Sequence, residues 1–156
     1  MPTKQDKIIT PEQTEKIFRN EFNAKVAGMV KRSHSLPISY TLNAPSNLLG
    51  DATECFINGF YNASIALSRA TLEQLLKHRL ATPKNKVVDL DDLIIEAATK
   101  GLRDINYKSS ATKIRKWGNV YIHDLQKRDL KKSEQEKRAK EVLLAVKKII
   151  ELLYKK

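Results

Sequence analysis

Apolar positions recur along most of this chain at intervals of three and four, the period of an amphipathic helix, and rarely alternate. The first such stretch opens at Thr10-Pro11-Glu12-Gln13. A capping threonine, a proline at the first helical position and a glutamine three residues after the cap together mark a helix start. Ile17, Phe18, Phe22, Val26 and Met29 follow at helical spacing, and the pattern fades between Lys31 and Ser33. Residues 1–33 therefore read as an N-terminal helical segment. Residues 34–50 contain Pro37, Asn43, Pro45, Ser46, Asn47 and Gly50 and read as a connector. Within it Ile38 to Leu42 alternates, but with no partner strand evident the expectation is an extended loop packed on the helices.

From Asp51 to Leu80 only Gly59 interrupts the helical pattern, which predicts one long central helix. Phe56, Gly59, Phe60, Ala63, Ala66, Leu67 and Ala70 share one face, and Tyr61, Ile65, Leu72, Leu75 and Leu76 the opposite one. A helix apolar on two sides lies at the centre of a bundle or shares a side with a second subunit. The small residues Gly59, Ala63 and Ala70 suggest close approach by a neighbouring helix. Thr82 to Lys86 breaks the pattern. Asp89 or Asp91 can cap a short helix through Leu93, Ile94, Ala97 and Ala98, with Gly101 as its stop. Ser109 or Ser110 opens the next helix, which carries Ile114, Trp117 and Tyr121. After a charged connector over 124–132, Ser133 and Glu136 form a second capping box. Ala139, Val142, Leu143, Val146, Ile149, Ile150 and Leu153 then make an apolar stripe. About five helices and no convincing strand predict an all-α bundle, a single domain over 1–156 whose main body is 51–156.

Charge changes this picture. The chain of 156 residues carries a net charge of +11. Residues 101–156 alone hold sixteen Lys/Arg against seven Asp/Glu, so +9 of the excess lies there. That points to a polyanionic partner, although Lys-rich helix faces also serve simply to solubilise a protein. The lone Cys55 excludes an internal disulfide and a cysteine zinc cage, and no His, Asp and Glu spacing suggests metal ligands. No metal or cofactor is expected. No apolar run is long enough to cross a bilayer, and Met1 to Ile9 lacks the apolar stretch of a signal peptide. The basic helices also lack the bulky aromatic face of an interfacial anchor, so the expected location is cytoplasmic and off the membrane.

The stretch with most chemistry is Ile114 to Asp124. Arg115, Asn119 and His123 are spaced four and four, one row of an unbroken helix opposite Ile114, Trp117 and Tyr121. Arginine matches phosphate oxygens with a planar cationic fork, histidine moves a proton near neutral pH, and asparagine can orient either. Eight helical residues span about 12 Å, so Arg115 and His123 of one straight helix cannot share a phosphate. Gly118 could bend the segment, or two subunits could share a cleft. The same row also reads as a solvated face, with Asn119 or His123 at a helix end. Arg69 and Glu73, at i,i+4 on the long helix, read as a surface ion pair or as a partly buried pair that orders a polar neighbour. His34 and His78 read as surface histidines.

Two segments resemble a known family. Gly59 to Leu76 has a glycine, an aromatic, small residues, then Arg69, the Leu72-Glu73 pair and leucines. Ile114 to Asn119, ending in His123-Asp124, has an arginine, then Gly-Asn, then a histidine. In this order they resemble the two motifs of a bacterial domain-of-unknown-function branch of the HEPN superfamily, over roughly residues 48–156. The resemblance implies a helical bundle that commonly dimerises and, in many members, a metal-independent ribonuclease of toxin–antitoxin, abortive-infection or CRISPR-associated systems. It implies catalytic roles for Arg115, Asn119 and His123, with Arg69 and Glu73 in support. His123 would move the proton as the RNA 2′-hydroxyl attacks phosphorus, and Arg115 would stabilise the phosphorane. Lys116, Lys127, Arg128, Lys131 and Lys132 would draw in the RNA backbone. The spacing of Arg115 and His123, with seven residues between, is longer than the family's Arg-to-His pattern. A homodimer, and an antitoxin or larger defence-protein partner, are expected on the same ground. The alternative is a non-catalytic module of the same architecture that dimerises or docks on a larger defence or restriction protein.

Overall fold

The protein, seen in a computed structural model, is described over residues 10–36, 48–102, 104–123 and 130–153, the side chains of Ile105, Ile122 and His123 excepted. All secondary structure in these residues is helical, as the periodicity predicts. The helices are α1 (Pro11–His34), α2 (Leu48–Ile57), α3 (Tyr61–Arg79), α4 (Leu90–Thr99), α5 (Ile105–His123) and α6 (Lys132–Leu153). Most of the expected 34–50 connector, including Ile38 to Leu42, lies outside the described residues.

The helix expected over 51–80 is two helices. Gly59 stands at φ +82°, a left-handed conformation that closes α2. The amide of Phe60 donates to the carbonyl of Cys55 at 2.8 Å and that of Gly59 to Phe56 at 3.0 Å, the hydrogen bonds of a Schellman stop. The break resets the helical phase, so only one of the two expected apolar faces is buried as a unit. Tyr61, Ile65, Leu72, Leu75 and Leu76 enter the core. Phe60 is 63% exposed, and Ala63 points to solvent. Close approach on α3 occurs at polar residues instead of Ala63 and Ala70. Ser64, Ser68 and Thr71 are fully buried. Ser64 Oγ donates to the Ala52 carbonyl of α2 at 2.7 Å, and Ser68 Oγ donates to the Ser64 carbonyl at 2.7 Å. A small hydroxyl that bonds a backbone carbonyl satisfies itself while letting helices close.

The remaining boundaries follow the caps. Thr10 and Gln13 form the expected reciprocal box, with bonds of 3.2 and 3.0 Å. Asp89 caps α4 through the Asp91 amide at 3.1 Å. Gly101, at φ +126°, follows its end. Helix α5 starts earlier than Ser109 or Ser110, because Asp104 accepts from the Asn106 amide at 2.7 Å. That earlier start puts Tyr107 inside the helix, fully buried, with its hydroxyl donating to the Ile94 carbonyl at 3.3 Å. The Ser133–Glu136 box does not form. The amides of Glu134 and Gln135 donate to the Lys131 carbonyl, so Ser133 already lies inside the first turn. Glu136 instead accepts from the Tyr61 hydroxyl at 3.0 Å.

Helix α3 is central: it packs on α2, α4, α5 and α6, and α5 packs on both α4 and α6. Leu49, Phe56, Ile65, Leu72, Leu93, Ile114, Leu143 and Ile149 meet in the shared core, all with at most 2% exposure. Helix α1 is the exception. It has no buried residue, and α2 is the one helix its backbone approaches.

Candidate functional site

Arg69 leaves the α3 surface with its aliphatic stem lying directly over α5. The crossing point is Gly118. A Cβ placed on Gly118 would come within 2.5, 2.7 and 2.9 Å of Cδ, Cβ and Cγ of Arg69. The glycine is therefore a slot for the stem of an arginine on the neighbouring helix, and it does not bend α5, which runs unbroken from Ile105 to His123. Beyond the slot, Arg69 Nε donates to Asn119 Oδ1 at 2.9 Å. Its Nη1 lies 3.5 Å from Glu73 Oε2, and Glu73 Oε1 accepts from Lys77 at 2.6 Å. The Arg69 side chain is 19% exposed and that of Glu73 28%. The partly buried reading of this pair is the one observed, and the polar neighbour that it orders is Asn119.

Asn119 and Arg115 share a helix face but have different partners. Arg115 Nη1 donates to Asp91 Oδ2 of α4 at 2.8 Å, with side chains 31% and 50% exposed. Asn119 faces α3 and Arg115 faces α4, so the row does not converge on a common point within one copy. His123 ends α5, and its side chain lies outside the described residues, as do Lys127 and Arg128. His34 and His78 are exposed, as expected.

One part of the site is absent from the sequence reading. Two cations lie over the Trp117 ring: the guanidinium carbon of Arg138, from α6, is 3.7 Å from the ring centroid, and Lys116 Nζ is 5.3 Å away. The Arg138 side chain is 17% exposed and its Nε lies 3.5 Å from Glu134 Oε1. Asp91 was anticipated as a cap or dipole partner and serves as the counter-ion of Arg115. A glycine amid a regular helical pattern was the available signal for a close approach. Nothing in the spacing identified Arg138 as the partner of Trp117.

Lys116, Lys131 and Lys132 are exposed. So are Lys108, Lys113 and Lys137, and none of these six pairs with a described acidic residue. Helices α5 and α6 therefore both display exposed lysines; Lys113 and Lys116 stand next to Trp117 at helical spacing, whereas Lys108 lies on the α4 side with Ile94, Ile95, Ala98 and Thr99. Burial, then Asp51 and Glu54, push the Cys55 thiol pKa up, which keeps it protonated. No group of three metal-ligating side chains occurs among the described residues.

The family model described as "Domain of unknown function (DUF4145)" matches residues 51–156. The chain belongs to this family. The DUF4145 region takes in both halves of the Arg69–Gly118 crossing and leaves α1 outside it. No curated protein and no solved structure matches the chain. No helix among the described residues of this DUF4145 protein is long and apolar enough to cross a membrane.

Proposed function

We propose that this DUF4145 protein is a HEPN-like RNA-binding bundle of a bacterial defence or toxin–antitoxin system. The observation that carries the reading is the set of exposed lysines on α5 and α6, Lys113, Lys116, Lys131, Lys132 and Lys137, none paired with a described acidic residue, on the two helices that meet at Trp117 and Arg138. Lysines that neutralise regularly spaced phosphates release their condensed counterions to solvent, and the Trp117 ring and Arg138 guanidinium offer planar groups for unpaired bases. A single-stranded RNA satisfies both requirements. The test is binding of a single-stranded RNA oligomer over a salt series. The expected result is an affinity that falls steeply with log salt and a shallower slope for Lys113→Gln/Lys116→Gln. Salt-independent binding, or none at low salt, refutes it.

Cleavage is the further step of the same proposal, with His123 moving the proton and Arg115 stabilising the phosphorane. The Arg115–Asp91 bond is half-exposed, and such pairs contribute only about 0.2–1 kcal/mol, so a phosphate can displace Asp91 at small cost. Cleavage of total RNA in EDTA by the wild type and by His123→Ala decides the point. Equal activity in both, or none in either, leaves an RNA binder without nuclease activity.

A second reading, a docking module for a larger defence protein or a second subunit, is favoured by a different observation. Helix α1 displays Phe18 at 70% and Phe22 at 58% exposure, with no described residue of the bundle burying them. An absence of complexes in pull-downs with purified candidate partners and in native mass spectrometry would remove it.

A further inference from the structure

We infer that α1 is an association arm whose partner is the α1 of a second copy of this chain, packed antiparallel. This does not rest on RNA binding, and it concerns residues outside the DUF4145 region. Phe18, Phe22, Val26 and Val30 repeat at intervals of four along α1 and are 70%, 58%, 41% and 48% exposed. Such an i±4 row is the ridge that interdigitates when two helices pack. Only its last turns, with half-buried Gly28, Met29 and Arg32, gain support from the bundle, so the exposed row before them needs a cover.

The described surface of the bundle supplies no matching row. Its other large exposed apolar side chains are Phe60, Val87 and Ile95, which sit in the α2–α3 turn, in the connector before α4, and on α4. Another α1 does match, both in spacing and in charge. The N-terminal half, 11–22, carries Glu12, Glu15 and Glu21 against Lys16 and Arg19. The C-terminal half, 23–34, carries Lys25, Lys31 and Arg32 with no acid. Antiparallel pairing sets the glutamate-bearing half of each copy, net −1, beside the basic half of the other, net +3, whereas parallel pairing sets the two +3 halves together.

The arm is also held in place. Arg32 Nε donates to the Ile57 carbonyl at 2.7 Å, and its guanidinium reaches 3.8 Å from a Cβ built on Gly59, at the start of the α2–α3 turn. Leu36 enters the core just beyond. The last turn is thus fixed to the bundle while the row from Phe18 to Val30, about 18 Å long, projects from it.

A single helix pair belongs with small interfaces, which associate weakly and reversibly. The test is sedimentation velocity of the full chain without RNA, from about 1 to 500 μM, the range in which such interfaces exchange. The expected result is a concentration-dependent dimer, with Phe18→Glu/Phe22→Glu monomeric throughout and unchanged in melting temperature. Orientation is read by disulfide trapping in a Cys55→Ser background. Phe18→Cys mixed with Val30→Cys is expected to cross-link as a heterodimer, and neither alone. Three results overturn the proposal. These are a wild type that stays monomeric, so that the cover comes from elsewhere in the chain or from another protein; a dimer indifferent to Phe18→Glu/Phe22→Glu; or Phe18→Cys that cross-links to itself while the mixture does not.

Discussion

Gly118→Ala adds one methyl group, and the crossing of α3 over α5 determines what it costs. The new Cβ would lie 2.5 Å from Cδ, 2.7 Å from Cβ and 2.9 Å from Cγ of Arg69. Cγ and Cδ can swing away, at the expense of the bond from Nε to Asn119. Cβ cannot, because it is fixed to the α3 backbone, so the helices must separate by roughly 0.7 Å or more to reach ordinary carbon–carbon contact. Overpacking of this kind costs about 1–3 kcal/mol. Loss of the Asn119 bond adds about 1 kcal/mol, a value for an ordinary hydrogen bond rather than a buried charged one because Arg69 is partly exposed. Replacing glycine by alanine inside a helix returns about 1 kcal/mol. The net expectation is a loss of about 1–3 kcal/mol, or a melting temperature lower by roughly 3–10 °C for a domain of this size. Gly50→Ala is the control. Gly50 is also helical, but its added Cβ would meet nothing within 4 Å, so no loss is expected. Arg69→Ala removes Cγ and Cδ, so Gly118→Ala should cost less in that background, and thermal denaturation of all four proteins gives the coupling. If Gly118→Ala melts at or above the wild type, or costs the same with Arg69→Ala, the slot is not what holds the glycine there.

Two further predictions follow from Tyr107 and Asp91. Burial pushes the Tyr107 pKa up to about 12, so between pH 10 and 12 the unfolded chain has lost a proton that the folded one keeps. Its contribution to stability is therefore complete below pH 10 and is lost as pH rises towards 12. Tyr107→Phe should flatten this alkaline decline in urea melts, though not wholly, because burial and Glu136 also raise the Tyr61 pKa. An unchanged decline counts against the burial argument. Asp91→Asn removes the counter-ion of Arg115. If α5 receives RNA, affinity should rise several-fold and the salt slope steepen by about one phosphate contact, with little change in melting temperature. Unaltered affinity would place Arg115 off the RNA path.

The sequence was most legible where one residue type has one physical use. Thr10 with Gln13, Asp89 and Gly101 were read correctly as boundaries because caps and left-handed stops depend on neighbours three or four residues away. The single helix over 51–80 failed on Gly59. Helical spacing continues on both sides of that residue, so periodicity alone does not reveal that the chain turns there at φ +82°. Ser133 failed for a different reason. A capping box needs its glutamate at home, and Glu136 has a long-range partner in Tyr61. In the site, Arg69 with Glu73 and the Gly118-Asn119 pair were each singled out, but as separate features. Their contact joins positions fifty residues apart, which no local spacing encodes.

That contact also changes how the two motif segments bear on function. Arg69, Gly118 and Asn119 explain one another: the glycine makes room for the stem, the stem delivers the guanidinium, and the amide receives it. Glu73 is then shared between Arg69 and Lys77, offsetting one of their two positive charges. A set of residues so fully accounted for by helix docking need not be explained by a reaction, and finding the set together identifies a fold before it identifies an activity. Arg115 is different, because its bond to Asp91 is half-exposed and fixes no helix crossing that the core does not already fix. The lysines of α5 and α6 are different too, because burying them would cost free energy and their exposed charges outnumber the acids of these helices and repel one another. Residues that weaken the isolated protein are the ones whose presence calls for a ligand. By that criterion the α5–α6 lysines and the bare row of α1, rather than the Arg69–Asn119 crossing, are where the activity of this chain is to be sought.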